Sequence, residues 1–267
     1  MGQSLRDRVA LVTGVSRRQG IGYAVASRLA GEGAAVFVQH LGSHDEQQPW
    51  GGDSIHSVLD GIRSHLAEGA ALADLSADLS HESSPEEVIS AAVSTFGHID
   101  VLVCNHARSG GDGPLAALDA SLIDAHWQVN TRATLLLTKH FAAQHDGREG
   151  GRVVWMTSGQ QLGPLRGEVA YAASKAALAG VTQTVADELV DQGIVLNAVN
   201  PGPVNTGYLT PDTADRKQAV LQKVLRSFPG GRFGEPDDPA RLIAWLASDD
   251  ARWIVGQVLN TEGGFRR

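Results

Sequence analysis

The chain has 267 residues, one cysteine, 42% hydrophobic residues and a formal charge of −8 at pH 7. That length supports a sizeable core without disulfide or metal staples, and the lone Cys104 excludes an internal disulfide and suits a reducing compartment. The acidic balance disfavours nonspecific binding to nucleic acid or anionic membrane; with no signal-like or bilayer-length apolar run, the expected location is the cytoplasm.

In chain order, short β-branched runs alternate with segments of helical period. RVALVTG, AAVFVQ, ALADLSADL, IDVLVCN, GRVVWMTS, IVLNAVN and QVLN read as seven strands, several apolar throughout, as strands covered on both faces are. Ile21, Ala24, Val25 and Leu29 mark one face of a first helix. Pro85 and the two glutamates after it mark the start of another. The alternation predicts right-handed βαβ crossovers in one doubly wound Rossmann domain, an α/β fold with a parallel sheet of about seven strands and helices on both faces, spanning 1–267. Two segments break the rhythm. Residues 41–53, LGSHDEQQPWGGD, predict a long polar loop after the second strand. Residues 203–235, with an amphipathic stretch around Val220, Val224 and Leu225, predict a lid at the carboxyl edge of the sheet, where open α/β sheets bind ligands.

The first strand runs into TGVSRRQGIG, residues 13–22. A strand ending at Gly14 and a helix beginning at Gly20-Ile21-Gly22 place backbone N–H groups at a helix N-terminus, which attracts pyrophosphate. Five residues separate Gly14 from Gly20, more than a dinucleotide turn usually has, and Arg17 and Arg18 are among them. An NAD site usually carries an acid at the end of the second strand, for the adenosine ribose. Here that position is Gln39-His40, and no acid follows until Asp45. A 2′-phosphate is then tolerated, and Arg17 or Arg18 can reach it, so NADP(H) is expected in preference to NAD(H).

The sharpest chemical signal is Tyr171-Ala-Ala-Ser-Lys175. With 3 tyrosines in the chain, a chance Tyr–Lys pair at this spacing is expected about once in twenty such sequences. The surrounding residues form helices well, so Tyr171 and Lys175 fall one turn apart on one side. A lysine ammonium there favours the phenolate, and a phenol tuned downward can exchange a proton with a substrate oxygen.

These motifs resemble the short-chain dehydrogenases/reductases over nearly the whole chain. TGVSRRQGIG is similar to the family's cofactor turn with two extra residues; enoyl-carrier-protein reductases of the same superfamily also lengthen it. VLVCNHA stands where the family has Asn-Asn-Ala-Gly, keeping Asn105 and departing at Cys104, His106 and Ala107. Asp78 stands at the family's adenine-contacting Asp, followed by Leu79. Asn130, Ser158, Tyr171 and Lys175 match the catalytic tetrad in order. VNPGPVNTG matches the turn after the sixth strand, where Val204 and Thr206 would hold the nicotinamide carboxamide, and GQVLNTEGG resembles the last strand and terminal turn.

The resemblance implies Tyr171 as general acid in reduction and base in oxidation, and Lys175 on the ribose hydroxyls, lowering the tyrosine's pKa. It implies Ser158 on the substrate oxygen and Asn130 holding a water that relays protons from Lys175. The implied cofactor contacts are Gly14, Ser16, Arg17, Arg18, Gly20, Ile21, Gly22, His40, Asp78, Leu79, Asn105, His106, Ala107, Tyr171, Lys175, Pro201, Gly202, Val204 and Thr206. No metal is expected: His40 and His44 have the spacing of a pair but no clear third ligand. Cys104 reads as a small core residue, and His106 either lines the site or caps a strand end. The tryptophans read as packing residues, although Trp50 could instead fold over the adenosine.

The expected substrate is a small ketone or secondary alcohol, in a pocket lined from Arg108–Gly113, Gly159–Gly167 and Pro203–Phe228. The runner-up is a 3-oxoacyl-carrier-protein reductase, opposed by Asp187, Glu188 and Asp191 after the catalytic lysine, which would repel an acidic carrier. From another class comes a dinucleotide-binding sensor without catalysis, although such proteins usually lose the tyrosine or lysine. In this family helices at 121–145 and 170–190 pack against symmetry mates, so a homodimer or homotetramer is expected.

Overall fold

The computed structural model describes residues 4–214 and 217–267. Residues 215 and 216, inside the expected lid 203–235, lie outside the described residues. Seven strands form one parallel sheet in the order β3-β2-β1-β4-β5-β6-β7. They are β1 (Val9–Val12), β2 (Ala35–His40), β3 (Leu72–Ser76), β4 (Val101–Cys104), β5 (Gly151–Met156), β6 (Ile194–Asn200) and β7 (Val258–Asn260). All seven expected strands are present, and the doubly wound fold is as the alternation predicts.

Period-two alternation along the strands divides the core in two. Ala10, Val12, Val36, Val38, Val101 and Val103 face one layer. There they meet Val25 and Leu29 of α1 (Ile21–Gly31), Val58 and Ile62 of α3 (Ile55–Arg63), and Ile243 of α9 (Asp237–Ala247). Leu11, Phe37, Leu102, Cys104, Val153 and Trp155 face the other. Its helices are α4 (Ser84–Phe96), α6 (Ala133–Gln144) and α7 (Val169–Val190), contributing Ile89, Leu137, Phe141 and Leu178. The Trp155 indole donates to Thr138 Oγ1 at 2.9 Å, so even the largest buried side chain has its polar atom satisfied.

Winding reverses between β1 and β4, which pair with each other while β1 also pairs with β2. The crevice at the carboxyl ends of these strands is the switch point where such sheets take ligands. A short α5 (Ala120–His126) runs into a π-helical turn, Trp127–Arg132, before α6. Such turns bulge the backbone and gather at functional sites; this one carries Asn130.

Two expectations change. The segment 41–53 is not loop throughout: Gly42–Glu46 forms a short helix, α2. Five residues do not nucleate a helix in water by propensity alone. The fold supplies the missing stabilisation through contacts of Asp45, described below. In the lid region α8 (Gln218–Arg226) is amphipathic, but its buried residue is Leu221, while Val220 is exposed.

Candidate active site

Three walls meet at the switch point. The first is the glycine turn. Gly14 has φ +71°, open to glycine at little cost, and a Cβ there would lie 2.7 Å from the His106 backbone. A Cβ on Gly22 would stand 2.6 Å from both the Gly14 carbonyl oxygen and Asn105 Nδ2, so only glycine lets α1 approach this closely. Asn105 Nδ2 donates to the carbonyls of Thr13 and Gly14, both at 3.1 Å, and Gly14 N donates to Gln39 Oε1 at 3.0 Å. No side chain caps the N-terminus of α1, whose first N–H groups therefore face the crevice without a side-chain partner. This cradle fits a dinucleotide pyrophosphate.

His106 lies beneath the turn and is buried. Its Nε2–H donates to the Val129 carbonyl at 3.0 Å, which leaves Nδ1 to accept from the Thr13 hydroxyl at 2.7 Å. Burial, with Lys175 nearby, pushes its pKa down to about 3, so the ring is a neutral brace. Cys104 is buried beside it, and burial pushes its thiol upward, away from nucleophilic use.

The second wall holds Ser158, Tyr171, Lys175 and Asn130, the residues expected to handle protons. Tyr171 and Lys175 stand one turn apart on α7, and the Tyr171 phenol lies beside Ser158, just beyond β5. Lys175 is 2% exposed and donates from Nζ to the Met156 carbonyl at 2.8 Å. Burial pushes the lysine down to about 8 and the tyrosine up to about 12. The lowering of the Tyr171 pKa expected from Lys175 is not found: desolvation raises the phenol, Ser158 alone opposes it, and Glu168 adds to the rise. Asn130 is fully buried: its Oδ1 accepts from Arg108 N at 2.7 Å and its Nδ2 donates to Ser174 Oγ at 2.9 Å. Ser174 Oγ in turn donates to the Tyr171 carbonyl at 2.8 Å. The amide that the sequence places on a proton relay ties the loop after β4 to α7.

Asp112 lies in the Arg108–Gly113 stretch expected to line the pocket, and its carboxylate has a helix-capping use that the sequence did not suggest. Its Oδ2 accepts from Tyr171 N at 2.7 Å and its Oδ1 from Ala170 N at 3.2 Å, capping α7 where the residue before the helix does not. A cap reaching across 59 positions leaves no local sequence signal.

The third wall is the turn after β6. Gly202 has φ +69°, and a Cβ there would lie 2.8 Å from Glu262. Val204 is buried and bridges to Gly234. Glu262 Oε1 accepts from Asn200 Nδ2 at 2.8 Å and pairs with Arg267, whose side chain lies against Gly159 and Gly163 beyond Ser158.

Segment 41–53 lies across these walls. Asp45 accepts from the Ser16 hydroxyl and, at 2.7 Å, from Arg17 Nε. Arg17 Nη1 donates to the Thr206 carbonyl at 2.5 Å, and its guanidinium lies 5.6 Å from the Trp50 ring centre. Trp50 contacts Tyr208, while the Gln48 side chain approaches Gly110. Arg17 is therefore engaged, not free for a phosphate as the sequence suggests; Arg18 is exposed, its backbone N–H on Asp53 at 2.7 Å. His40 points to Asp74 at 3.1 Å. Asp78 accepts from Ser80 N, and Leu79 is buried. Among the described residues no group of three or more metal-ligand side chains is assembled, and no helix is long and apolar enough to cross a membrane.

A Rossmann crevice with an open glycine cradle beside a Ser-Tyr-Lys set defines a dinucleotide-dependent oxidoreductase. The family described as "Enoyl-(Acyl carrier protein) reductase" matches residues 14–266. An uncharacterized oxidoreductase, YjdA, of Bacillus subtilis is 36% identical, with 98% of each chain covered. A 3-oxoacyl-[acyl-carrier-protein] reductase, FabG, of Staphylococcus epidermidis is 33% identical over 97% of this chain and 98% of its own. A short-chain dehydrogenase of Burkholderia cenocepacia, solved in complex with NADP, superposes with a TM-score of 0.83 at 33% identity, covering 98% of each chain. The chain belongs to the short-chain dehydrogenase/reductase family, and its chemistry is that of an oxidoreductase interconverting carbonyl and alcohol.

Proposed function

We propose that this chain reduces a small ketone, and oxidises the corresponding secondary alcohol, with NADP(H) preferred over NAD(H). The observation that carries the reading is Tyr171 placed beside Ser158, with buried Lys175 one helical turn away, in a fold whose first strand–helix turn is a glycine cradle. The turn at Gly14, Ser16, Gly20, Ile21 and Gly22 would hold the pyrophosphate, and Pro201, Gly202, Val204 and Thr206 the nicotinamide end. When bound, the dinucleotide supplies or accepts the hydride. Tyr171 gives its phenolic proton to the substrate oxygen, and Ser158 steadies the charge growing there. Lys175 supplies positive charge behind the tyrosine. The preference for NADP(H) is supported by the absence of an acid at the end of β2, where Gln39 is used on Gly14 and Ala77. A cytoplasmic, oligomeric enzyme fits the reducing-compartment composition and the helical face described below.

The test is NADPH consumption with a panel of ketones and β-keto esters. Tyr171→Phe should lower kcat by about a thousandfold while leaving the dinucleotide Kd within about threefold. With the phenol held at about 12, the proton donor is present throughout neutral pH. The phenol therefore does not limit reduction there, and a fall above about pH 8 follows loss of the Lys175 charge, while oxidation, which needs the phenolate, should rise with pH. A variant binding dinucleotide in a chain that turns over no carbonyl with Tyr171 intact would point to a sensor.

The carrier-protein reading has its own support in the FabG relative. Asp187, Glu188 and Asp191 are exposed at the end of α7, so an acidic carrier would meet repulsion there. Rates with an acyl-carrier thioester against a free β-keto ester at two salt concentrations separate the two.

A further inference from the structure

Segment 41–53 brings two acids to the glycine turn, and both take donors that an anion would use. Asp45 is 8% exposed, and its carboxylate collects the Ser16 hydroxyl and Arg17 Nε, with Trp50 Nε1 at 3.5 Å. Asp53 takes the backbone N–H of Arg18. A hydroxyl, a guanidinium and backbone N–H groups on a glycine turn form the donor set that recognises a phosphate monoester. Here a carboxylate already occupies it. The position where an acid would ordinarily oppose a 2′-phosphate, the end of β2, holds none: Gln39 is used on the turn and His40 on Asp74.

We propose that Asp45 is the residue that sets discrimination between dinucleotides with and without a 2′-phosphate: it is an internal competitor seated on Ser16 and Arg17, which such a phosphate must displace. A phosphate dianion brought beside a buried carboxylate is repelled, and Arg17 cannot serve both at full strength. An unphosphorylated ribose makes no claim on this seat. The preference for NADP(H) is thus weaker in this chain than its arginines alone would confer, and taking the phosphate is coupled to movement of α2. The inference rests on the dinucleotide reading.

The experiment is a fluorescence titration of NADPH and NADH on the full chain and on Asp45→Asn, which keeps an acceptor but removes the charge. NADPH should bind about tenfold or more tightly to the variant, with NADH within about threefold, and Arg17→Ala added to Asp45→Asn should abolish the gain. An unchanged or weakened NADPH affinity overturns the proposal. A second measurement needs no variant. Hydrogen exchange of the wild-type chain is followed with saturating adenosine 2′,5′-bisphosphate or AMP. Amides of residues 42–53 should exchange faster with the bisphosphate, and equal protection by the two overturns the proposal. If neither NADPH nor NADH binds wild type, the dinucleotide reading itself falls and this inference with it.

Discussion

Tyr171 and Lys175 show how burial sets the working range of a proton-transfer pair. Desolvation disfavours the charged form of each, so the phenol rises to about 12 and the ammonium falls to about 8. A neutral phenol facing Ser158 is a donor ready for ketone reduction. Its position depends on Asp112, which caps the helix at the tyrosine's own backbone N–H. Asp112→Ala should cost about 1 kcal/mol of stability, as lost caps do, and lower kcat about tenfold with dinucleotide affinity unchanged. Asp112→Asn keeps an acceptor and should recover most of the rate. Thermal unfolding and a split of kcat from KM check this, because a merely structural loss would not leave the affinity untouched.

At the scale of elements, the β1 turn and α1 were legible from residues 13–22, since the glycines there have one stereochemical use each. Gly22 is the most demanding, because a Cβ would meet a backbone oxygen that cannot yield. Gly22→Ala should destabilise the chain by about 1–3 kcal/mol through overpacking and weaken dinucleotide binding about tenfold or more. Denaturant melts and titration measure both effects. Most strands were equally legible, because burial on two faces imposes apolar runs, but the helix expected at 121–145 is broken by the π-helical turn Trp127–Arg132. Helix α2 was not: Gly42–Glu46 carries no apolar period, and it forms where Asp45 is held by Ser16, 29 positions earlier in the chain. The same applies to the phase of α8, where the face that packs depends on what lies beneath Leu221.

For the whole molecule, the outer face of α6 and α7 carries a groove that mixes apolar side chains with Thr138, Lys139, Glu188 and Gln192. Leu135, Ala142, Val185 and Leu189 line the groove between the two helices, while Val181 and Val190 are exposed nearby. A face on which such helices pack against a second copy closes by two-fold symmetry. The chain should sediment as a dimer or tetramer, and Leu135→Arg should shift it to a smaller species; sedimentation velocity checks both. The net charge of −8 disfavours encounter with polyanions.

The amino-acid order by itself determined the doubly wound sheet, the glycine cradle and the Ser-Tyr-Lys set. Each is written within a few neighbouring residues, where periodicity and spacing translate directly into geometry. Only the tertiary structure decided that Asp45 engages Ser16 and Arg17, that Asp112 caps the catalytic helix, and that Asn130 braces it through Ser174. Those pairings join residues distant along the chain, and a charge finds its partner through the folded backbone, which no local pattern encodes.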